Sequence, residues 1–388
     1  MTESRFEQAL PDPAWLSRLK LTDFRNYAEL AITPDRRPVV LTGPNGAGKT
    51  NLLEAISFLS PGRGLRRARL ADIARRDGGR GWAVAATLAG PSAETELGTG
   101  LMAENADTPH RTVRINRTAA TSSQALMEHL RVVWLTPAMD TLFTGATSER
   151  RRFLDRLVLA VDRQHGERVS GYEKVMRERN RLLEQGGDDS WLSAVEAQMA
   201  EHGIAVAAAR RECLSLLTEP GGITRGEGSF PAAQLAINGT TETWLGSLSA
   251  TEAEDRLILA LADSRPADRA ARRTLLGPHL SDLVVKHVPK QVSAGECSTG
   301  EQKALLTGII LAHARLISRL TGATPLLLLD EVGAHLDPSR RADLFAIIAD
   351  LGCQAWLTGT EPAPFSAFGD AAQHLSVRDG LVQPAEAL

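Results

Sequence analysis

The segment Gly43–Thr50 constrains this chain more than any other, because it reads Gly-Pro-Asn-Gly-Ala-Gly-Lys-Thr and fits the pattern G-x-x-x-x-G-K-[ST]. In such a loop the glycines turn successive backbone N–H groups inward, and the N-terminus of the following helix favours the negative charge of phosphate. The β-branched run Pro38–Thr42 precedes the loop, and apolar residues at helical spacing follow it between Leu52 and Leu59. This strand–loop–helix context favours a phosphate site over a glycine turn that matches by chance.

The loop predicts a nucleotide-binding site whose residues have separate roles. Lys49 supplies a mobile cation for the β- and γ-phosphates of ATP and is a candidate catalytic residue, and the Thr50 hydroxyl is a candidate ligand of Mg²⁺. The candidate ATP-binding residues of this segment are Gly43, Pro44, Asn45, Gly46, Ala47, Gly48, Lys49, Thr50 and Asn51.

A pair of acidic residues follows the apolar run Leu326–Leu329, which has the length of a buried strand. Asp330 and Glu331 come directly after it, at the strand end where α/β proteins place ligands. We expect Asp330 to hold Mg²⁺, directly or through water, and Glu331 to polarise the attacking water as a general base. An acidic turn after an apolar run is common, so this motif gains its weight from the phosphate loop.

A third motif lies between the other two, where Ser298, Gly300 and Gln302 fit the S-x-G-x-Q core of the ABC ATPase signature. A hydroxyl, a glycine and a helix N-terminus together form a second phosphate-binding surface. In the ABC class this surface closes on the γ-phosphate held by a partner protomer, so the motif predicts an ATP-dependent homodimer. The same residues also fit a helix capping box with Ser298 as the N-cap and Glu301 as its acid, which leaves the order of the three motifs unexplained.

The remaining ABC elements are present in part. The segment Gly333–Asp337 resembles the D-loop, with Asp337 expected along the dimer seam. The position of the switch histidine holds no histidine, and Thr358 or Thr360 is the candidate there. The residues before Leu135 also lack the glutamine of the Q-loop, so that contact has no assigned residue. The missing switch histidine is consistent with slow hydrolysis of ATP.

The two motif-bearing stretches bracket a helical, charged and alanine-rich middle that begins at about Thr147. Residues 81–117 have the alternation of an antiparallel meander, and Leu30 with Ile32 marks a return strand after Leu19 and Leu21. A length of 388 residues favours two domains. The pattern leaves open whether two domains follow one another or one α/β head is split by a helical insertion.

Composition excludes several classes of protein. The formal net charge of −3 means that any polyanion site is a local basic patch. The three cysteines, Cys213, Cys297 and Cys353, are far apart and have no metal-ligand spacing. The longest clean apolar run, Leu326–Leu329, is too short to cross a bilayer. We therefore expect a soluble, cytoplasmic protein with no membrane partner.

A basic patch follows the phosphate loop, where seven arginines fall within residues 63–80 and only Asp72 and Asp77 offset them. Neutralisation of DNA phosphates is one use for such a patch, and a solvated face with local ion pairs is the alternative. Aromatic residues make up only 4% of the chain, which favours contact with a duplex backbone over base stacking. The candidate DNA-binding residues are Arg63, Arg66, Arg67 and Arg69.

A second basic group lies in the helical middle, and glutamates intersperse it. We favour a solvated helix face there over DNA contact, formed by Lys174, Arg177, Arg179 and Arg181. His279 is either a site residue near the nucleotide or a turn histidine, and the sequence does not separate the two.

The chain resembles the RecF family of bacterial DNA-repair proteins from about residue 16 to residue 361. The resemblance is carried by Phe24–Tyr27, the unbroken stretch Gly43–Gly64, Leu135–Pro137, Arg151–Arg156 and Gly277–His279. It implies an α/β fold, with an ABC-type P-loop ATPase head that combines a mixed sheet and an antiparallel β subdomain and carries an inserted helical arm. The implied head is residues 1–123 plus 270–388, and the implied arm is residues 124–269. Arg25, in the opening motif, is the ATP-binding residue that the resemblance adds.

The resemblance also implies a function in recombinational repair. Such a protein dimerises on ATP, binds gapped or duplex DNA and hydrolyses ATP slowly. It works with recombination mediator proteins such as RecR and, indirectly, with the recombinase RecA. The ATPase subunit of an ABC transporter is the alternative, since it shares the three motifs, but it predicts neither the opening motif nor the helical arm. A chromosome-organising protein would need long heptad coiled coils, and a small-molecule kinase would have no use for a signature motif.

Overall fold

The computed structural model describes residues 14–90, 93–102, 110–219, 222–334 and 336–385. The chain forms two compact units. The first unit comprises the described parts of residues 1–139, 228–230 and 309–388, and the second those of residues 140–227 and 231–308.

The structure comprises runs of strands and runs of helices. In chain order the strands are β1 (Trp15–Phe24), β2 (Tyr27–Ile32), β3 (Val39–Thr42), β4 (Trp82–Ala89), β5 (Thr95–Leu101), β6 (Thr112–Ile115), β7 (Thr118–Ala119), β8 (Val132–Leu135), β9 (Ala233–Asn238), β10 (Asp282–His287), β11 (Val292–Ser293), β12 (Leu326–Leu329), β13 (Ala355–Gly359), β14 (Gln373–Arg378) and β15 (Leu381–Pro384). The α-helices are α1 (Lys49–Ser57), α2 (Thr147–Val161), α3 (His165–Gln185), α4 (Asp189–Thr218), α5 (Thr240–Trp244), α6 (Ala250–Ala271), α7 (Thr299–Thr321) and α8 (Pro338–Leu351).

The first unit contains an antiparallel sheet in the order β2-β1-β4-β5-β6-β7. Strand β1 pairs with β2, with Leu19 opposite Ile32 and Leu21 opposite Leu30, which confirms the predicted return strand. Strands β4, β5 and β6 confirm the predicted meander. The apolar side chains of β1 alternate with exposed polar ones, so one face of the sheet is buried in the core.

The first unit also contains a mixed sheet in the order β15-β14-β3-β13-β12-β8, whose strands are parallel except for β15. All four residues of β3 and of β12 are buried, as expected for central strands of a parallel sheet. Thr42 at the end of β3 pairs with Gly359, and Leu329 at the end of β12 pairs with Leu357 and Leu135. Because the carboxyl ends of parallel strands meet at one edge, the loops after β3, β12 and β13 lie together there.

The second unit is mostly helical. Helices α3 and α4 pack against each other and against α6, around a core that includes Tyr172, Leu192 and Leu257. A three-stranded antiparallel sheet in the order β11-β10-β9 completes the unit. The capping box at Ser249 and Glu252 fixes the start of α6.

The two compact units differ from the predicted domains at their boundaries. Strand β8 lies within residues 124–269, which the sequence assigned to the arm, but it pairs with β12 and belongs to the first unit. Strands β10 and β11 and the first half of α7 lie in the range assigned to the head, but they belong to the second unit. The pairing of β8 depends on a partner almost two hundred residues away, a relationship that local composition does not reveal.

Among the described residues, α7 alone has the length and mean hydropathy of a membrane-spanning helix. Within it, 72% of the apolar window is buried in the protein, and we interpret α7 as a core helix.

Candidate functional site

The phosphate loop follows β3 and depends on glycines with positive φ. Gly43 has φ of 150°, and a Cβ atom there would lie 2.1 Å from the carbonyl oxygen of Val377. Gly48 has φ of 118°, and a Cβ atom there would lie 2.7 Å from the side chains of Asn26 and Tyr27. No other residue type fits either position without movement of its neighbours. The loop therefore has the close backbone packing that a phosphate cradle requires.

The Lys49 ammonium group spans this loop. Its Nζ atom donates to the carbonyl oxygens of Gly43, at 2.6 Å, and Pro44, at 2.9 Å. Burial lowers the pKa of Lys49, and the nearby charges of Glu331 and Asp330 oppose that shift. The structure therefore brings the cation close to both acidic residues.

Asp330, directly after β12, forms hydrogen bonds with residues of α1, β13 and β8. Its Oδ1 atom accepts hydrogen bonds from Oγ1 of Thr50, at 2.9 Å, and from Oγ1 of Thr358, at 2.8 Å. Its backbone N–H donates to the carbonyl oxygen of Leu135 at 2.9 Å. Burial raises the pKa of Asp330, and the hydrogen bonds from the two threonines act against that rise.

The oxygen atoms of this cluster fit Mg²⁺. The Thr50 hydroxyl and the Asp330 carboxylate are hard oxygen donors within hydrogen-bond distance of each other. The described residues contain no group of three or more His, Cys, Asp or Glu side chains that could hold a metal ion by themselves. Such a sparse set matches Mg²⁺, which is usually held by one or two protein ligands together with water and substrate phosphates.

Glu331 has an unusual backbone conformation next to this cluster. Its φ is 54°, in the left-handed region that glutamate rarely adopts. Its N–H donates to Oγ1 of Thr358 at 2.8 Å. Strained conformations of this kind are found at functional sites, where the surrounding structure holds them. Thr358 therefore contacts both acidic residues, whereas Thr360, the other residue considered for the switch position, is exposed beyond the end of β13.

Two side chains of the opening motif support the phosphate loop, and sequence reasoning gave them no role. Asn26 donates from Nδ2 to the carbonyl oxygen of Ala47 at 3.1 Å and accepts from Nδ2 of Asn51 at 2.7 Å. The Tyr27 hydroxyl donates to the carbonyl oxygen of Gly48 at 3.0 Å, and burial raises its pKa. Both residues lie next to Arg25 in the motif Phe24–Tyr27, and this position could have indicated their role.

Arg25, predicted to bind ATP, is paired within the protein. Its Nε and Nη2 atoms donate to the two carboxylate oxygens of Glu54, at 2.9 and 2.7 Å, and its Nη1 atom donates to the carbonyl oxygen of Asp72 at 2.8 Å. Glu54 is fully buried in α1 and also pairs with Arg66 at 3.2 Å. The structure thus places Arg25 beside the phosphate-loop helix and gives its guanidinium a carboxylate partner there.

The four arginines predicted to bind DNA, Arg63, Arg66, Arg67 and Arg69, are exposed. Arg66 also reaches back to α1, where its Nη1 atom donates to Oδ1 of Asn51 at 2.6 Å. Exposure of these guanidinium groups on one short segment is what phosphate contact requires, and Arg66 in addition touches the nucleotide-binding helix.

Arg111, which the sequence did not single out, holds the start of this basic segment. Its Nη1 atom donates to the carbonyl oxygens of Ser60, at 3.0 Å, and Gly62, at 2.9 Å, and its Nη2 atom donates to that of Phe58. These carbonyl groups follow the last turn of α1, where the helix dipole favours a cation. Burial lowers the pKa of Arg111 to about 10.

The signature residues form the start of α7. Ser298 accepts at Oγ from the N–H of Glu301, at 3.4 Å, and the Glu301 carboxylate accepts from the N–H of Ser298 at 3.1 Å. This reciprocal pair confirms the capping box. Gln302 is buried and donates to the carbonyl oxygen of Cys297 at 2.8 Å, while Ser298 is exposed and Gly300 lies in the first helical turn. The cap and an exposed phosphate surface are compatible on the same residues.

Asp337 has a local role at the start of α8. Its side chain accepts from the N–H of Arg340 at 2.9 Å, and this hydrogen bond lowers its pKa. Its exposure leaves the predicted position at a dimer seam open to a partner. Within the segment that resembles the D-loop, His335 lies outside the described residues.

His279 is a turn histidine of the second unit. Its Nε2 atom lies 3.0 Å from the carbonyl oxygen of Thr274, which can only accept, so Nε2 carries the proton. Its Nδ1 atom then accepts from the hydroxyl of Tyr172 at 2.7 Å. Burial lowers the pKa of His279, so the neutral ring fits both bonds.

The expectation that Arg179 lies on a solvated helix face is wrong. Its side chain is fully buried and pairs with Glu196 at 2.9 Å and with Asp268 at 2.6 Å. Lys174 on the same helix is exposed, as expected. The partners of Arg179 come from α4 and α6, which the charge pattern of α3 does not indicate.

Comparison with known proteins places this architecture. Residues 15–375 match the RecF/RecN/SMC N terminal domain family. The DNA replication and repair protein RecF of Mesorhizobium japonicum is 54% identical over 378 residues, which cover 97% of this chain and 100% of that protein. RecF of Rhizobium meliloti is 52% identical over 374 residues, which cover 96% of this chain and 100% of that protein.

The solved structures show the same fold. The recombination mediator protein RecF of the RecFOR pathway, with the ligand named ATPrS, superposes with a TM-score of 0.83 at 21% identity and covers 98% of this chain and 100% of its own. The Smc head domain of Pyrococcus furiosus superposes with a TM-score of 0.52 at 15% identity, with 96% of each chain covered. The predicted α/β ATPase head is thereby confirmed. From the identity to curated relatives over nearly their full lengths, this chain belongs to the RecF family of DNA replication and repair proteins.

Proposed function

We propose that this chain binds ATP with Mg²⁺, dimerises when ATP is bound, and in that state holds duplex or gapped DNA during recombinational repair. The observation that carries this proposal is the meeting of Thr50, Asp330 and Thr358 beneath the phosphate loop. That cluster joins a phosphate cradle to an acidic pair at one edge of a parallel sheet, which is the arrangement of a nucleotide hydrolase.

ATP is bound by the loop and by the residues that fix it. The N–H groups at the start of α1 point toward the phosphates, and the helix dipole adds to their attraction. The Lys49 ammonium group now bonds two loop carbonyl oxygens, and the β- and γ-phosphates would take over those bonds. Asn26 and Tyr27 hold the loop backbone from behind, so the cradle keeps its shape without ligand.

Hydrolysis requires a polarised water that attacks the γ-phosphorus in line with the bond to the ADP leaving group. Glu331, held in its left-handed conformation, would accept the proton of that water. Thr50 and Asp330 would hold Mg²⁺, which would neutralise negative charge on the phosphates. With threonine in place of a histidine at the switch position, the γ-phosphate would lack the imidazole contact that a histidine makes there, and we expect slow turnover.

Dimerisation follows from the exposed signature. Ser298 and the first turn of α7 present a hydroxyl and helix N–H groups, which would bind the γ-phosphate of a partner protomer. Asp337 would lie along the seam. ATP promotes DNA binding only if the dimer binds DNA more tightly than the monomer does, because a ligand shifts an equilibrium by its differential affinity alone.

DNA contact is assigned to Arg63, Arg66, Arg67 and Arg69. We place the protein in the cytoplasm, where it would act with a mediator such as RecR and, indirectly, with the recombinase RecA. The relatives are named as DNA replication and repair proteins. This favours a DNA-binding protein over the ATPase subunit of an ABC transporter.

The test uses Glu331→Gln, which keeps the shape of the side chain but removes the base. Sedimentation velocity and binding to a gapped duplex are measured without nucleotide, with ADP and with ATP. ATP alone should produce a dimer, Glu331→Gln should prolong it, and DNA retention should rise with it. The control is Glu361→Gln, an exposed glutamate just beyond β13 that should behave as wild type. A protein that stays monomeric and ignores DNA in every nucleotide state would overturn the proposal.

The DNA surface is tested by Arg63→Ala and Arg69→Ala, with Arg114→Ala, an exposed arginine of β6, as the matched control. Each phosphate contact that is removed should reduce the steepness of the fall of log affinity with log salt concentration, so that the slope becomes less negative by about one. ATP affinity should be unchanged in all three variants, because none of these side chains bonds the phosphate loop. An unchanged salt slope in the first two variants would assign the DNA surface elsewhere.

A further inference from the structure

A single hydroxyl connects the two acidic residues of the site. Oγ1 of Thr358 donates to Oδ1 of Asp330 at 2.8 Å, and the N–H of Glu331 donates to the same Oγ1 at 2.8 Å. The Thr358 side chain is fully buried, so water does not compete for either bond. This hydroxyl is therefore the direct link between the metal-binding carboxylate and the backbone of the proposed base.

The chemistry of the two bonds fixes their directions. An ionised carboxylate only accepts, so the one proton of Thr358 goes to Asp330. A backbone N–H only donates, so a lone pair of the same hydroxyl receives the proton of Glu331. Serine could make both bonds, whereas valine, which has the same shape, could make neither.

The bond to Glu331 acts at a strained residue. Its φ of 54° is costly for a side chain with a Cβ atom, and such conformations persist only where several contacts hold them. The N–H bond orients the peptide that enters Glu331 and hence the direction in which its Cα–Cβ bond points. Thr358 is a firm anchor, because β13 pairs with β3 on one side and with β12 on the other.

We infer that Thr358 is the positioning residue for Glu331, holding the general base in the orientation that hydrolysis requires. The inference rests on the proposed ATPase function and assigns Thr358 a role that acts through Glu331. Thr358 does not bind the phosphate in this scheme, and the metal site keeps Thr50 and Asp330 without it. In this scheme Thr358 takes the position of the switch histidine, but its role is to orient Glu331.

The first experiment compares Thr358→Val with Thr358→Ser in steady-state ATP hydrolysis. Thr358→Val should lower kcat roughly 10- to 100-fold, because a misdirected catalytic group costs rate without costing substrate affinity. KM for ATP and the Mg²⁺ concentration for half-maximal rate should change by less than about twofold. Thr358→Ser should recover most of the wild-type kcat. The control is Glu361→Gln, an exposed change just beyond β13, which should hydrolyse ATP as wild type does.

A double-mutant cycle separates a role through Glu331 from a role through the metal site. Single-turnover hydrolysis is measured for Thr358→Val in the wild-type and in the Glu331→Gln background. If Thr358 acts by aiming Glu331, its loss should cost little once the base is absent. Equal losses in both backgrounds, or a raised requirement for Mg²⁺, would overturn the inference and assign Thr358 to Asp330.

Failure of the proposed function gives a different pattern. A wild-type protein that neither binds nor hydrolyses ATP would overturn the ATPase proposal itself, whatever the variants do. A wild-type protein that hydrolyses ATP, with Thr358→Val folded and equally fast, would overturn only the positioning role. Thermal unfolding and equilibrium ATP binding establish that the variants are folded. Should Thr358→Val fail to fold, Thr358→Cys replaces it, since a thiol fills the space but is a weak hydrogen-bond donor, and the same loss of kcat is expected.

Discussion

Oγ1 of Thr50 lies 2.9 Å from Oδ1 of Asp330, although 280 residues separate the two in the chain. The parallel order β3-β13-β12 brings them together. Thr50 follows the loop after β3, and Asp330 follows the carboxyl end of β12 directly. The contact buries a carboxylate that we propose to bind Mg²⁺ together with nucleotide. Burial raises the pKa of Asp330, so its ionised form has a cost in the free energy of folding near neutral pH.

We predict that Asp330→Asn stabilises the ligand-free protein near neutral pH while it removes the response to Mg²⁺ and ATP. A carboxyl group with a raised folded pKa binds more protons in the native state, so stability falls as pH rises from the ordinary aspartate pKa through the raised one. Asparagine keeps the acceptor oxygen and has no such titration. Thermal unfolding between pH values below and above this window, with and without Mg²⁺ and ATP, measures both effects.

The wild type should gain melting temperature from Mg²⁺ and ATP, and the gain should shrink as the pH falls through the raised pKa of Asp330. Asp330→Asn should show no such gain at any pH. An identical ligand-induced shift in both proteins would contradict the assignment of Asp330 to the metal.

We predict that two glycines of the phosphate loop differ in what they tolerate. Gly43→Ala should lower the free energy of unfolding by more than about 3 kcal/mol, because the new Cβ atom would lie 2.1 Å from a backbone oxygen of Val377 at a positive φ. Gly46→Ala should cost only about 1 to 2 kcal/mol, because its φ is also positive but nothing lies within 4 Å of its Cβ position. Urea denaturation of both variants checks the difference. Equal costs would mean that β14 does not constrain the loop.

We predict that the cap and the signature role of Ser298 can be separated by substitution. Ser298→Ala should destabilise the protein by about 1 kcal/mol, because it removes the N-cap of α7. Ser298→Asp keeps an equally good N-cap and should cost no more stability than Ser298→Ala, although its carboxylate would face that of Glu301, which now accepts from the Ser298 hydroxyl at 3.0 Å. Its negative charge should repel the γ-phosphate of a partner. Ser298→Asp is therefore expected to fold normally and to lose ATP-dependent dimerisation, which sedimentation velocity and denaturant unfolding measure together. Normal dimerisation by this variant would confine Ser298 to capping.

The parts of the site that are continuous in sequence were predictable. The segment Gly43–Thr50 predicts a loop, and the apolar run before Asp330 predicts a strand. Both predictions use periodicity or glycine spacing, which are local signals. The capping box at Ser298 is equally local, and the structure confirms it. The conformation of a motif this short depends mainly on its own residues, so its sequence is enough to predict it.

The parts that depend on pairing between distant residues were not predictable. Arg25 lies in a recognised motif, yet its partner Glu54 comes from α1 and decides where the guanidinium points. Arg111 holds the basic segment through backbone carbonyl groups, which have no signature in sequence. Thr358 could be named as a candidate from its position near the end of a strand, but only the structure shows its hydrogen bonds with Asp330 and Glu331.

The last prediction concerns Arg179, whose burial the sequence did not indicate. Arg179→Ala would leave Asp268, which is fully buried, without its cation, and breaking such a pair costs about 3 to 5 kcal/mol. Lys174→Ala, an exposed change on the same helix, should cost less than about 0.5 kcal/mol. Urea denaturation gives both values, and DNA binding per folded molecule should be unchanged in either variant. Loss of DNA binding at full stability in Arg179→Ala would contradict this, because a guanidinium with no exposed surface could bind phosphate only after the helices of the second unit separate.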